Sequence, residues 1–503
     1  MFSARQCEDS LLRWLPPTPG RPGDYHEYLK SRWRNEVYTR RPTEIDFERF
    51  WNISLHEGFI TATTGFLQPQ DLRPEAVLEA IGEYARPSPS GIDLVLTPSP
   101  RVFDGRFANN GWLQELPHPV TTQVWGNGAL MSRATAQRLQ CREGDVVRLT
   151  VERRSLKIPA LIEPGMADDL ISIDLGYGRR IAGSIGSSVG VDAGTLRKNV
   201  ADLSPWFYTG VGVETTGESS RIIRVQTHFS IEGRPIIKEA SASAFRSHPL
   251  AESEAESRPH VLWSYRGYHW AMVVDLTACT GCGACSLACT AENNIPVVGP
   301  EQVSRKREMH WMRIDRYYSG SPDNPSAVYQ PILCQHCDAA PCEKVCPVAA
   351  TVRSPEGLNE MVYNRCVGTR YCANNCPYKV RRFNFFNYHK QLVSPAELVY
   401  NPEVTVRNRG IMEKCTFCVQ RITAAKHRAK IEGRKIRDGE IQTACQQACP
   451  AEAIVFGDLN DPQSRVSQLT KETRAYHVLD DLGVRPSVTY LAKIRNPRLD
   501  TVA

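Results

Sequence analysis

Fifteen of the seventeen cysteines lie between residues 279 and 449, and most of them follow one another at gaps of two to five residues. The other two, Cys7 and Cys141, stand alone in the preceding part of the chain. Closely spaced thiolates bind zinc or iron–sulfur clusters, whereas a disulfide framework is typical of a short secreted chain. The spacing therefore predicts one metal-binding segment that carries the chemistry of the protein.

The fifteen cysteines form four groups. Group 1 contains Cys279, Cys282, Cys285 and Cys289; group 2 contains Cys334, Cys337, Cys342 and Cys346; group 3 contains Cys366, Cys372 and Cys376; group 4 contains Cys415, Cys418, Cys445 and Cys449. Group 1 has the spacing of a bacterial ferredoxin, except that Thr290 follows where proline is usual, and the other groups end in Cys-x3-Cys-Pro. Structural zinc sites rarely end in this way. The pattern therefore favours iron–sulfur clusters over zinc.

Group 3 is one ligand short, and its spacing becomes regular only if Thr369 occupies the position of a cysteine. Four groups of four positions give sixteen, and replacing one position by Thr369 leaves the fifteen cysteines that are present. A threonine hydroxyl is a poor ligand for a soft iron site. We therefore expect a three-iron cluster at group 3; the alternative is a four-iron cluster with an oxygen or water ligand at that corner.

The charge of this segment supports the same interpretation. Between residues 279 and 449 there are 23 Lys and Arg against 15 Asp and Glu, a surplus of eight positive charges. Four oxidised clusters held by thiolates carry about −8 in total, which turns the net charge of the chain from +6 to about −2. The basic composition therefore does not indicate nucleic-acid binding. The basic stretch 421–437 is interpreted as a solvated helix face that balances the clusters, with a docking patch for an acidic partner as the alternative.

The rest of the chain must supply the elements that hold these groups. At 503 residues, with 41% hydrophobic residues, the chain has room for several domains. Short β-rich runs at 93–97, 145–151 and 170–175, with helical spacing over 132–139, predict a mostly-β barrel. No apolar run approaches the roughly 20 residues of a membrane span. The start of the chain has no charged-then-apolar leader, so we expect no export signal.

The sequence predicts four segments. Residues 1–90 are an adaptor or the remnant of a larger body, 91–235 the barrel, 236–265 a small, polar and charged linker, and 266–503 the cysteine-rich domain. Within the barrel, Trp112 and Trp125 are interpreted as packing residues. The glycine-rich stretches 183–190 and 210–213 lack the strand-to-helix context of phosphate-binding loops and are interpreted as turns.

The cysteine-rich part of the sequence resembles a known family. Residues 268–460 resemble the four-cluster ferredoxin subunits of the molybdopterin oxidoreductase superfamily, as in polysulfide and dimethyl sulfoxide reductases. More closely, three stretches resemble the iron–sulfur subunit of bacterial alternative complex III: Ala291-Glu-Asn-Asn-Ile-Pro-Val-Val-Gly299, Arg307-Glu-Met-His-Trp-Met-Arg-Ile-Asp-Arg-Tyr-Tyr318, and the group 3 segment 366–384. In that subunit a molybdoenzyme-like body precedes the ferredoxin part, and residues 109–117, 125–127 and 143–145 resemble its last domain, a double-psi barrel.

The resemblance implies an α+β fold, in which a double-psi barrel precedes a double bacterial-ferredoxin-like domain. It also implies that the last cysteine of each group crosses to a partner group. The implied cofactors are a [4Fe-4S] cluster on Cys279, Cys282, Cys285 and Cys449; a second on Cys415, Cys418, Cys445 and Cys289; a third on Cys334, Cys337, Cys342 and Cys376; and a [3Fe-4S] cluster on Cys366, Cys372 and Cys346. Since the molybdoenzyme-like body of the complex III relatives is empty, the resemblance implies no molybdopterin.

The function implied by the resemblance is electron transfer from quinol through these clusters toward cytochrome c, and the chain alone only transfers electrons. Its implied partners are a polytopic quinol-binding membrane subunit and cytochrome c subunits. The alternative is an electron-transfer subunit of a catalytic molybdopterin oxidoreductase. Because the family protein begins with an export signal and three further domains, we expect a split gene or a truncated chain, with a separate chain carrying those domains.

The resemblance also implies a location and further site residues. We expect the chain to lie on the periplasmic face of the cytoplasmic membrane after co-export with a signal-bearing partner; the cytoplasmic face is the alternative. The three-iron cluster of the family is nearest the quinol site, so four residues after group 3 are candidates for that interface, or else basic surface residues that neutralise the cluster. These are Lys379, Arg381, Arg382 and His389. His310 and His336 are candidates for proton handling, with structural hydrogen bonding as the alternative.

Overall fold

The computed structural model describes residues 5–16, 19–40, 44–60, 72–84, 91–197, 206–248, 263–391 and 394–496. It divides the chain into two compact units, residues 1–87 and 88–503. Among the described residues, no helix is long and apolar enough to cross a bilayer.

The first unit is helical. Its helices are α1 (Cys7–Trp14), α2 (Tyr25–Arg32), α3 (Phe47–Glu57) and α4 (Pro74–Tyr84). The carboxylates of Asp24 and Asp46 accept hydrogen bonds from the first turns of α2 and α3, which is how aspartate favours a helix start. Phe47, Phe50 and Trp51 of α3 form the small core of this unit.

The second unit begins with a closed six-stranded barrel. Its strands are β1 (Ile92–Thr97), β2 (Ala129–Met131), β3 (Asp145–Val151), β4 (Arg154–Ile162), β5 (Leu170–Asp174) and β6 (Phe207–Ser219), in the order β1-β5-β2-β4-β3-β6. The β1–β5 and β2–β4 pairs are parallel and the other pairs are antiparallel. Burial alternates along β1 and β5, as expected where one strand face lines a core.

The predicted mostly-β barrel is thus confirmed, and the predicted runs 93–97, 145–151 and 170–175 fall on β1, β3 and β5. Three short helices belong to the barrel: α5 (Gly111–Glu115), α6 (Arg133–Arg138) and α7 (Gly183–Gly186). Helix α6 lies within the predicted helical run 132–139 and begins at Ser132, whose hydroxyl accepts a hydrogen bond from the backbone of Thr135.

The predicted linker 236–265 is partly built into the fold. Its first residues form β7 (Glu239–Ser241) and α8 (Ala242–Ser247), and β7 pairs in parallel with β18 (Lys493–Arg495) near the end of the chain. Ile237 lies in the core of the cysteine-rich half. Residues 249–262 of the predicted linker lie outside the described residues.

The cysteine-rich half consists of short elements around one four-stranded sheet. The strands of this sheet are, in order, β15 (Ile454–Asp458), β8 (Trp270–Asp275), β17 (Val488–Leu491) and β16 (Ala475–Tyr476). Its remaining helices are α9 (Ala284–Glu292), α10 (Pro300–Ser304), α11 (Pro341–Lys344), α12 (Tyr371–Asn375), α13 (Val419–Ile431), α14 (Ala444–Gln447) and α15 (Arg465–Leu469). Its remaining strands are β9 (Arg313–Ser319), β10 (Ser326–Ile332), β11 (Thr351–Arg353), β12 (Asn359–Met361), β13 (Arg382–Phe383) and β14 (Met412–Glu413). Most of the cysteines join its hydrophobic core.

A buried carboxylate joins the barrel to the cysteine-rich half. Glu163, which follows β4 and is fully buried, forms ion pairs with Arg224 at 2.9 Å and with Arg316 of β9 at 2.7 Å. The hydroxyl of Tyr318, also on β9, donates a hydrogen bond to the same carboxylate at 2.8 Å. Because the buried guanidinium of Arg316 depends on Glu163 for its counter-charge, while Arg224 also pairs with Glu143 at 2.9 Å, this contact holds β9 against the barrel.

A second buried carboxylate contacts the loop that follows α9. Glu115, at the end of α5, accepts hydrogen bonds from the backbone N–H groups of Val298 and Gly299 at 2.9–3.1 Å. The indole of Trp125 donates a third at 3.2 Å, so this tryptophan orients the carboxylate. Burial raises the pKa of Glu115 to about 7, although these three donors favour the charged form.

We expect Glu163→Ala to lower the free energy of unfolding by about 3–5 kcal/mol, because it leaves Arg316 buried without a carboxylate and leaves Arg224 paired with Glu143 alone. Thermal unfolding of the anaerobically purified full chain measures this. The matched control is Glu214→Gln, since Glu214 is 71% exposed and lies 3.6 Å from Arg148. Equal unfolding temperatures for Glu163→Ala and the control would contradict the assignment.

For Glu115 we expect a pH dependence of stability. A folded-state pKa of about 7 exceeds the usual carboxyl value of 4.5, so only the folded chain holds the proton between these pH values. Stability should therefore fall as pH rises from about 4.5 to 7, by about 3 kcal/mol at 1.36 kcal/mol per pKa unit. The difference between wild type and Glu115→Gln, measured by denaturant unfolding across this range, isolates the effect. If the difference in unfolding free energy between the two proteins did not change with pH, the prediction would be wrong.

Candidate metal centres

All four groups share one loop conformation at their first half. The residue two positions after the first cysteine has a positive φ in every group: Gly281 (72°), His336 (47°), Gly368 (74°) and Phe417 (55°). This left-handed conformation is rare for residues other than glycine, and it is typical of strained functional loops. The next position holds Cys282, Cys337, Thr369 and Cys418, respectively. The loop of group 3 therefore presents Thr369 where the other loops present a cysteine, a correspondence that spacing alone only suggested.

The second half of each group lies on or beside a short helix. Cys285 and Cys289 lie on α9, Cys342 on α11, Cys372 on α12 and Cys445 on α14. In groups 2, 3 and 4 the chain leaves the helix at the Cys-Pro step, and the third residue after that cysteine again has a positive φ: Ala349, Lys379 and Glu452. Group 1 has Thr290 in place of the proline, so α9 continues to Glu292.

Two sets of thiols line common cavities. Site A is lined by Cys279, Cys282, Cys285 and Cys449, so the last cysteine of group 4 lies with group 1. Site D is lined by Cys346, Cys366 and Cys372 together with Thr369, so the last cysteine of group 2 lies with group 3. In each cavity, cysteines that are distant in sequence line one common space.

Two further sets are close enough to influence one another electrostatically. Burial, and then the thiols of Cys415, Cys418 and Cys445, raise the pKa of Cys289 well above its usual value; these four residues are called site B. Burial, and then the thiols of Cys334, Cys376 and Cys342, do the same for Cys337; these four are called site C. In all four sets, cysteines of different groups thus lie near one another.

The sites also have a spatial order. Sites A and B share α9, and Cys445 of site B contributes to the raised pKa of Cys285, after burial. After burial and Cys445, Cys334 of site C also contributes to the raised pKa of Cys415 in site B. Arg381 interacts with Cys342 of site C and with Cys372 of site D. In the order A, B, C, D, each site is therefore within electrostatic range of the next.

The surroundings of the sulfur atoms suit thiolate ligands. Backbone N–H groups point at five of them, with nitrogen–sulfur distances of 3.2–3.4 Å: Ala350 to Cys346, Met412 to Cys366, Phe417 to Cys415, Ala444 to Cys418 and Ala453 to Cys449. Such bonds stabilise the charged form of sulfur. Burial, opposed by Arg381, raises the pKa of the Cys342 thiol to about 11, and a coordinating metal removes the proton. The residues therefore fit iron–sulfur clusters.

Two of the residues expected at a quinol interface are buried instead. Arg381 is 6% exposed, and the side chain of Arg382 is 13% exposed and forms an ion pair with Glu308 at 2.9 Å. The expectation that they lie at the surface is wrong for both, because the β13 segment that follows group 3 folds back into the core. Lys379 is exposed, and His389 hydrogen-bonds Tyr400 at 2.8 Å.

The two other histidines are interior residues. His336 is fully buried, stacks on Phe417 with a centroid distance of 3.9 Å, and accepts a hydrogen bond from the backbone of Asn359 at 3.0 Å. Burial, and then Lys414, keep its pKa well below the usual value. Burial lowers the pKa of His310 to about 4. Both are neutral at physiological pH, which favours structural hydrogen bonding over proton handling.

The glycine-rich stretch 183–190 is filled by a side chain of its own domain. The amide oxygen of Asn109 accepts hydrogen bonds from the backbone N–H groups of Ile185 and Gly186 at 3.0 and 3.2 Å. The other stretch, 210–213, lies within β6, so its interpretation as a turn is wrong. In the first stretch, residues 183–186 form the one-turn helix α7, and the backbone donors of Ile185 and Gly186 already have Asn109 as a partner.

The basic stretch 421–437 lies mainly on α13. Ile422, Ala425 and Ala429 face the core, while its basic side chains either pair with carboxylates or face solvent. Arg421 pairs with Glu292 at 2.7 Å, and the guanidinium of Arg434 pairs with Glu440 at 2.7 Å. The solvated helix face predicted from the sequence is therefore present.

Comparison with known proteins identifies the cysteine-rich half. Two profiles described as 4Fe-4S dicluster domains match residues 278–350 and 326–392. The iron–sulfur cluster-binding subunit of menaquinone reductase from Nitratidesulfovibrio vulgaris is 42% identical over 229 residues, which are 44% of this chain and 89% of the relative. The iron–sulfur subunit 1 of an Hdr-like menaquinol oxidoreductase from Archaeoglobus fulgidus is 36% identical, over 44% of this chain and 82% of the relative.

A third relative is the iron–sulfur subunit of the arsenate respiratory reductase of a Shewanella species. It is 34% identical, over 44% of this chain and 94% of its own length. The relatives are thus matched over most of their length by less than half of this chain. The chain belongs to the family of iron–sulfur electron-transfer subunits of molybdopterin oxidoreductase-type complexes.

Proposed function

We propose that this chain relays electrons within a membrane-associated oxidoreductase, between quinone chemistry in a membrane partner and a second redox subunit. The observation that carries the proposal is that thiols of different groups lie together, around two cavities and in two further sets of electrostatic neighbours. Clusters bound at such sites take up and give up single electrons at potentials set by nearby charge and hydrogen bonds to sulfur. Two relatives are named for menaquinone reduction and menaquinol oxidation, which supports a quinone partner.

We assign three [4Fe-4S] clusters to sites A, B and C, and a [3Fe-4S] cluster to site D. The crossing cysteines are Cys449 at site A, Cys289 at site B, Cys376 at site C and Cys346 at site D. The shared loop conformation supports equivalent roles for the four groups, and Thr369 supports the loss of one iron at site D. In this proposal the chain binds the clusters and sets their reduction potentials.

The second redox partner that the relatives favour is a catalytic molybdopterin subunit. Curated relatives include subunits of arsenate, selenate and tetrathionate reductases. In this proposal the chain passes electrons between that catalytic subunit and a membrane anchor that binds quinone. The chain performs no chemistry on the terminal substrate.

The second candidate is a complex of the alternative complex III type, in which quinol electrons reach cytochrome c. The observation that favours it is the barrel that precedes the cysteine-rich half, because the same arrangement is implied by the resemblance of residues 109–117 and 125–127. In this candidate the barrel is a double-psi barrel that serves as an assembly platform without molybdopterin. The turn filled by Asn109 supports that role, since the backbone donors there are already used.

We further propose the segment boundaries 1–90, 91–235, 236–265 and 266–503, with residues 1–90 as the remnant of a molybdoenzyme-like body. The location we propose is the periplasmic face of the cytoplasmic membrane, reached with an exported partner; the cytoplasmic face is the alternative. Accessibility of the assembled complex to a protease added to spheroplasts distinguishes the two faces.

The two candidates differ in what the purified complex contains. Molybdenum in the complex, and reduction of an oxyanion by reduced menaquinone analogue, would support the molybdopterin partner. Absence of molybdenum, with electron transfer from the quinol to cytochrome c, would support the second candidate. Failure of the quinol to reduce any iron–sulfur cluster would contradict both.

For site D we expect an electron paramagnetic resonance signal of an oxidised three-iron cluster, with about fifteen irons per chain. Thr369→Cys supplies the missing thiolate and should abolish this signal while raising the iron content to about sixteen. Thr369→Ser keeps the hydroxyl and should leave the signal unchanged. Sixteen irons and no three-iron signal in the wild type would show a four-iron cluster at site D.

For the crossing cysteines we expect paired effects in a redox titration followed by electron paramagnetic resonance. Cys289→Ser and Cys418→Ser should perturb the same four-iron signal, because both residues belong to site B. Cys449→Ser and Cys282→Ser should perturb a different one, that of site A. If Cys289→Ser and Cys282→Ser affected one signal in common and left the other intact, the crossing would be wrong.

A further inference from the structure

Arg381 is a buried cation between sites C and D. Its guanidinium donates a hydrogen bond from Nη2 to the hydroxyl of Thr351 at 2.8 Å and lies 2.7 Å from the sulfur of Met361. Both of these side chains line the cavity of site D, together with Cys346 and Cys366. One edge of the guanidinium is therefore fixed against site D.

The same two-stranded sheet reaches site C. Thr351 and Met361, which hold the guanidinium, are paired across β11 and β12. The side-chain amide of Asn359, on the same strand as Met361, lies 3.8 Å from the sulfur of Cys342 in site C. Arg381 therefore lies against a sheet that contacts both sites.

Arg381 has no carboxylate partner within ion-pair distance in the described part of the chain, whereas its neighbour Arg382 is paired with Glu308. Two of its donors, Nε and Nη1, are buried without a hydrogen-bond acceptor. A buried, unpaired guanidinium is costly to stability, as are buried donors without acceptors. The negative charge that balances Arg381 must therefore come from what the thiols of sites C and D bind.

We propose that Arg381 is a positioning charge shared by sites C and D, which holds the reduction potentials of both clusters up and so sets the driving force of the electron step between them. A nearby positive charge favours the more negative, reduced state of a cluster. In the step itself one electron leaves one cluster and enters the other, with no proton transferred and no bond broken. The inference rests on the proposed function, because it assumes clusters at both sites.

The test is a redox titration of the anaerobically purified full chain, with iron content determined for each variant. Arg381→Met and Arg381→Gln remove the charge and should shift the midpoints of the three-iron signal and of one four-iron signal to lower potential. We expect each reduction equilibrium to change at least tenfold, which corresponds to about 59 mV for one electron. Arg381→Lys keeps a charge and should shift both midpoints less.

The matched control is Arg365→Gln. Arg365 is exposed and precedes Cys366 of site D, so its removal takes away a solvent-screened charge close to the same site. We expect unchanged midpoints for this variant. A shift as large as that of Arg381→Gln would show that any nearby charge has the same effect, and would overturn a special role for Arg381.

The remaining outcomes each decide the proposal. Wild-type midpoints in an iron-replete Arg381→Met variant, or a shift in only one of the two signals, would overturn it. If both neutral variants lost iron while Arg381→Lys retained it, the required charge would be established; loss of iron in all three would instead indicate a steric role. Absence of cluster signals in the wild type would contradict the proposed function itself, before the role of Arg381 is tested.

Discussion

Positive charge buried without a carboxylate partner is the constraint on which the cysteine-rich half depends. Within the described residues, Arg381 has no ion-pair partner, and the fully buried ammonium of Lys414 is held only by the backbone carbonyl oxygens of Asn359 and Cys415. Desolvated cations require a counter-charge nearby. Thiolates that bind clusters supply such a counter-charge, so filling the metal sites stabilises this half.

The crossing of cysteines between groups explains how so few regular elements form one core. Cys449 lies with the thiols of group 1, and Cys346 with those of group 3. Each site thus joins parts of the chain that are far apart in sequence, which removes conformational freedom from loops that hydrophobic packing alone would leave loose. Helix α9 contributes Cys285 to site A and Cys289 to site B, so a single helix fixes the separation of two sites.

The cysteine groups could be predicted from the sequence because metal-binding thiols occur at restricted spacings. The barrel could be predicted because alternating apolar residues indicate β-strands. The spacing also identified Thr369 as a missing ligand, and the shared left-handed residue at Gly368 gives that position its structural equivalent. Prediction from the sequence failed where burial depends on tertiary packing. The sequence placed Arg381 and Arg382 at the surface, because two adjacent arginines do not by themselves show whether they are buried. The roles of Glu115 and Glu163 were not predicted, because the residues that they contact are distant in sequence.

The missing proline of group 1 has a consequence for assembly. Because Thr290 allows α9 to continue, the chain reaches the Val298–Gly299 loop, whose backbone Glu115 of the barrel binds. The segment that departs from the Cys-Pro pattern therefore leads into one of the two contacts that attach the barrel, the other being that of Glu163. Helix α9 thus bears two of the thiols, Cys285 and Cys289, and leads into the loop that the barrel binds, so one segment positions both.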